Sequence, residues 1–132
     1  MNTQLLFRIT GAALGIQLAL GGAVTFFSLD VAVHTAWGVV LGVLALVTLV
    51  SVMRMPAKPK PLMGLVVGIA VDILVQAVLG FATAATSGDT ASALAFVHFL
   101  NALAIFGMTL MATGMTMAGA RMAQAPAVAA TT

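Results

Sequence analysis

Four stretches of this chain are predominantly apolar for as long as a bilayer core requires, and that leaves few ways for it to fold. They run from Leu5 to Phe27, Val31 to Met53, Leu62 to Ala84 and Ala91 to Gly119. A membrane-spanning helix needs about 20 such residues. The four runs take up nearly all of the 132 residues, of which only 6% are charged. The expected fold is therefore all-α: a four-helix transmembrane bundle forming one domain over residues 1–123. Residues 124–132, rich in Ala and Thr, are expected to be a disordered tail. The runs are continuous, not alternating, which argues against a β-barrel. A signal peptide is the rival reading of the first run. Its apolar part is long for one and no small-x-small cleavage site follows, so it is read as a retained span.

The connections carry their own signals. Ser28 or Asp30 is expected to cap the second helix by accepting a bond from a free backbone N–H. Arg54 to Pro61 holds three prolines and three basic residues, which stop the second helix. Residues 85–90 read as a loop, with Asp89 or Thr90 capping the fourth helix. Four spans put both chain ends and the 54–61 connection on one side. That side holds Arg8, Arg54, Lys58, Lys60 and Arg121, all five basic residues, whereas Asp30 and Asp89 fall on the other. Positive residues stay inside, so the expectation is an integral membrane protein with both termini cytoplasmic. Basic residues beside membrane spans do not suggest nucleic acid. The chain has no cysteine, which excludes disulfides, iron–sulfur clusters, thiolate zinc sites and covalently attached haem.

An internal repeat organises the polar residues. Gln17-Leu-Ala-Leu-Gly21 in the first span returns as Gln76-Ala-Val-Leu-Gly80 in the third. Each segment is followed by a short loop and a span with one early histidine, His34 or His98, the only two in the chain. The two hairpins share one orientation, so they are expected to be related by a pseudo-two-fold axis along the membrane normal. His34 and His98 would then be symmetry mates, about 6 and 10 Å below the starts of their helices at 1.5 Å per residue. Ionisable residues within a span are functional candidates. Two facing imidazoles suit a non-covalent haem iron, whereas zinc or copper would want a third or fourth ligand. The bland reading is that each imidazole bonds to a neighbouring helix.

This pattern, Gln-x-x-Leu-Gly, short loop, histidine helix, repeated once, resembles one four-helix half of the haem A synthase family. The resemblance covers residues 5–120 and implies His34 and His98 as axial haem ligands. The family's catalytic glutamate, three residues before a histidine, is replaced here by Val31 and Ala95. No catalytic residue is therefore assigned, and enzymatic activity is the less favoured reading.

The leading expectation is a b-type cytochrome with one bis-histidine haem b near the outer face, passing electrons as a subunit of a respiratory or oxidase complex. A minimal haem A synthase-like enzyme and a cofactor-free structural subunit are the alternatives. Expected partners are membrane lipid, other subunits of a redox complex or further copies of the chain, and a quinone. His34 and His98 are the expected metal ligands, with Gln17, Gln76 and Trp37 beside the cofactor. Trp37 is read either as an interface anchor or as stacking near the haem edge. Asp72, the one carboxylate well inside a span, is expected to be neutralised or paired and shares a face with Gln76. It reads either as a proton relay, quinone contact or haem-tuning group, or as an interhelical hydrogen bond to Asn101, a Thr or a Ser. The pairs Gly11/Gly15, Gly38/Gly42 and Gly64/Gly68 read as close-packing motifs. The stripe Met108, Met111 and Met115 reads as packing.

Overall fold

The computed structural model describes residues 2–56 and 58–124, and they form four helices with no strand among them. Helix α1 spans Thr3–Phe27, α2 Val31–Met53, α3 Lys60–Ala84 and α4 Gly88–Gln124. All four are long and apolar enough to cross a membrane. Gln124, expected in the tail, is the last residue of α4, and residues 125–132 lie outside the described residues. Helix α1 packs against α2 and α4, and α3 packs against the same two, so α2 and α4 face each other across the bundle's diagonal.

The local chemistry explains most helix ends. Asn2 accepts a bond from the N–H of Leu5, and Asp30 one from Ala32 at 2.9 Å. Such a cap stabilises a helix by about 1 kcal/mol. Ser28 has the other role: it closes α1 in the left-handed region, φ 56°. Helix α3 begins at Lys60, two residues before the expected Leu62, because Pro61 is tolerated in a first turn where its missing N–H has no partner to lose. Helix α4 begins at Gly88, so three residues, not six, join it to α3. Gly88 takes φ 62°, a conformation free to a residue without Cβ.

The buried side chains fall in one half of the molecule, the end that holds residue 3, residue 124 and the connection from α2 to α3. Phe7, Val52, Leu62, Val66 and Ala112 form one cluster there. Ala13, Leu14, Leu41, Ile69 and Ile105 form a second at mid-height. The other half, residues 15–40 and 70–104, contains no fully buried residue. This core repeats the internal symmetry. At the 59-residue offset, Phe7 matches Val66 and Thr10 matches Ile69; at the 64-residue offset, Leu41 matches Ile105, Ala45 matches Thr109, and Thr48 matches Ala112. All ten are buried. The buried hydroxyls are satisfied: Thr10 and Thr48 share a bond of 3.2 Å, and Thr109 donates to the Ile105 carbonyl.

One glycine of each expected pair lies at a helix contact. A Cβ on Gly11 would meet Thr109, one on Gly38 would meet Gln17, and one on Gly68 would meet Met108. Gly15, Gly42 and Gly64 face nothing within 4 Å. Met108 and Met115 pack on the two clusters, whereas Met111 is exposed.

Candidate functional site

His34 and His98 meet in the loosely packed half, on the diagonal helices. Their ring centres are 6.1 Å apart and their planes 64° from parallel. This level pairing does not follow from the helix ends. His34 is the fourth residue of α2, and His98 the eleventh of α4. At 1.5 Å per residue, α4 therefore stands about 10 Å taller at this end. The extra residues of the second hairpin are absorbed mainly as additional turns of α4, so they do not displace His98.

Each ring is held in the same way by the preceding helix. The side-chain nitrogen of Gln17 lies 3.1 Å from His34 Nε2, and that of Gln76 lies 3.2 Å from His98 Nε2. One turn further along, Gly21 and Gly80 pass the rings so closely that a Cβ would stand 3.2 Å from Cε1 of His34 or 3.3 Å from Cε1 of His98. The repeated Gln-x-x-Leu-Gly segment thus has a physical basis. Residues four apart share a helix face, so the glutamine amide grips the imidazole while the glycine leaves it room.

The hydrogen-bond partners also fix which nitrogen carries each proton. Gln17 Nε2 donates to the backbone carbonyl of His34 at 3.2 Å, so it is the nitrogen, not the oxygen, that faces His34 Nε2. An amide nitrogen cannot accept, so His34 Nε2 accepts and the proton resides on Nδ1. On the other side, Asn101 Nδ2 donates to the Asp72 carbonyl at 3.2 Å and to Gln76 Oε1 at 3.0 Å. That leaves Gln76 Nε2 to donate to His98, whose Nε2 likewise accepts. Nδ1 of both rings is buried without a partner, as is Gln17 Oε1.

Trp37 and Asn101 are equivalent positions in the two hairpins, and so are Ala13 and Asp72. Their contacts are equivalent too: the Trp37 indole N–H donates to the Ala13 carbonyl at 2.9 Å, as Asn101 does to that of Asp72. Trp37 therefore ties α2 to α1, packing on the mid-height cluster one turn below His34. Asp72 contributes its backbone to this network; no hydrogen bond reaches its carboxylate from the described side chains. Sequence reasoning gave Asn101 only as a partner for Asp72 and assigned no role to Gly21 or Gly80.

The residues present fit a bis-histidine haem in donor type and in ring spacing. Metal–imidazole bonds of about 2 Å on each side of one iron place the ring centres about 6 Å apart. Nε2 of each ring is unprotonated, the form in which neutral imidazole binds metal, but its lone pair here accepts from a glutamine amide, a bond that iron would have to displace. No group of three or more His, Cys, Asp or Glu exists among the described residues, so a cage of protein ligands alone is not available there. The Asp30 carboxylate, four residues before His34, is engaged in capping α2. The chain matches no protein-family model, no curated protein and no solved structure.

Proposed function

We propose that this protein is a membrane b-type cytochrome in which His34 and His98 hold one haem between α2 and α4. The observation that carries this reading is the level, symmetric approach of two imidazoles, each unprotonated at Nε2 and held there by a glutamine amide that iron would replace. When bound, the haem supplies a one-electron iron couple. Held by both His34 and His98, it would serve electron transfer rather than oxygen chemistry. Gln17 and Gln76 orient the rings, Gly21 and Gly80 give them room, and Trp37 with the mid-height cluster forms the floor that excludes water from below. The same features support kinship with one half of the haem A synthase family, whereas Val31 and Ala95 at the glutamate positions favour a carrier over an oxidising enzyme. A role as a subunit of a respiratory or oxidase complex, and contact with a quinone, remain part of this proposal.

A reduced-minus-oxidised spectrum of the purified protein tests it. The expected result is a low-spin b-type α-band at one haem per chain, lost in both His34→Ala and His98→Ala. A purified protein without that band favours a second reading, suggested by the Gln–His bonds themselves: they would be interhelical pins of a cofactor-free scaffold.

The orientation is proposed on charge. The end of the bundle holding the connection from α2 to α3 is the basic one, and we place it in the cytoplasm. The chain has no cysteine, so single cysteines report topology directly. Lys58→Cys is expected to resist an impermeant maleimide on intact cells, whereas Ser87→Cys labels. The reverse pattern would invert the orientation. Membrane lipid covers the outward side chains, such as Leu74, Val78 and Phe81, which are at least 66% exposed.

A further inference from the structure

The pseudo-two-fold symmetry is broken at one place beside the histidines, and the break lies in the hydrogen bonds. Trp37 and its equivalent Asn101 both donate to the backbone of the preceding helix. Only Asn101 has a second N–H, and it gives this to Gln76 Oε1. Gln17 has no such neighbour: its Oε1 is buried without a partner, and its orientation comes from the carbonyl of His34 itself.

We infer that Asn101 is a positioning residue that sets the tautomer of His98. The chain of constraint starts at a group that cannot rotate. The Asp72 carbonyl is backbone, so it can only accept, and it fixes the Asn101 amide with the nitrogen towards α3. That nitrogen requires an acceptor from Gln76, which turns its own nitrogen to His98. The His98 proton is thereby driven to Nδ1, and Nε2 stays unprotonated, accepting from Gln76. His34 receives its proton position through a separate, local route. The two histidines, alike in the repeat, are therefore controlled independently, and only His98 responds to a residue outside the Gln-x-x-Leu-Gly pattern. The relevance to haem rests on the cytochrome reading; the tautomer itself does not.

Imidazole nitrogen NMR of the cofactor-free protein in detergent micelles, with the imidazole neutral and ¹⁵N-labelled histidine, tests this. Wild type is expected to show Nδ1–H for both rings. Asn101→Asp replaces the donor with an acceptor, so Gln76 turns over and the His98 proton moves to Nε2, while His34 stays unchanged. Asn101→Leu leaves Gln76 unguided and gives a mixture at His98 alone. Trp37→Phe, which removes the equivalent tie on the other hairpin, leaves both tautomers as they were. An unchanged His98 in Asn101→Asp, in a protein with wild-type helix content, overturns the inference. So does an equal change at both histidines. If the NMR result holds and wild type also binds haem, Asn101→Asp lowers the haem-to-protein ratio severalfold, and Asn101→Glu, a second acceptor, gives the same direction. Holding of the NMR result without any b-type band would retire the cytochrome reading and keep this one.

Discussion

Leucine in place of Gly80 is expected to strip the histidine site while leaving the bundle folded. The first atom of any side chain there would lie 3.3 Å from His98 Cε1, and at Gly21 3.2 Å from His34 Cε1. A single Cβ forces a shift of tenths of an ångström, so Gly80→Ala loosens the grip of Gln76. A branched side chain occupies the space of the ring itself. Overpacking of this kind costs about 1–3 kcal/mol, and the ring can escape it by turning away from Gln76. If the cytochrome proposal holds, bound haem falls by about tenfold or more, since about 1.4 kcal/mol corresponds to a factor of ten. Helix content and unfolding midpoint should change little, because this half of the molecule contains no fully buried side chain. Gly22→Leu is the control: it lies next to Gly21, yet nothing stands within 4 Å of its Cβ position. Equal haem loss in Gly22→Leu and Gly21→Leu would show that bulk anywhere on this helix, not contact with the imidazole, is responsible.

The opposite outcome is expected at Phe7. This side chain is 1% exposed and anchors the cluster with Val52, Leu62, Val66 and Ala112. In a soluble core, Phe→Ala costs about 3–5 kcal/mol, part of it the transfer of apolar atoms to water and part the cavity left behind. Between membrane helices the transfer part is largely missing, because lipid is as apolar as the core. Phe7→Ala should therefore destabilise the protein by about 2–3 kcal/mol, below the soluble range, in denaturant unfolding from micelles. Phe81→Ala, at a position 69% exposed on the outside of the bundle, should stay within about 0.5 kcal/mol of wild type. A Phe7 variant as stable as the Phe81 variant would mean that the closed half is not what holds the four helices together.

Much of this architecture was legible in the residues themselves. The number of spans follows from their length and apolarity, and three of the connections' signals worked as chemistry predicts: Asp30 caps, the Arg54–Pro61 segment breaks, and the basic residues gather at one end. The repeated Gln-x-x-Leu-Gly segment pointed to a shared role for both hairpins, and the glutamine contacts with His34 and His98 are symmetric. What was hidden was rotation and height. A helix apolar on all sides has no stripe to say which face turns inward, since lipid and core make the same demand. Hence Trp37 read equally as an interface anchor, although its N–H is spent on Ala13, and Asp72 read as a side-chain partner, although its backbone does the bonding.

Hydropathy and charge determined that this chain crosses a membrane four times as two like hairpins, because those properties are local and additive along the chain. Only the tertiary structure decided that His34, near its helix start, stands level with His98, more than two turns into a taller helix. That alignment depends on how α3 and α4 pack around the 59-residue match of Gln17 to Gln76, a relation between distant segments that no local pattern encodes.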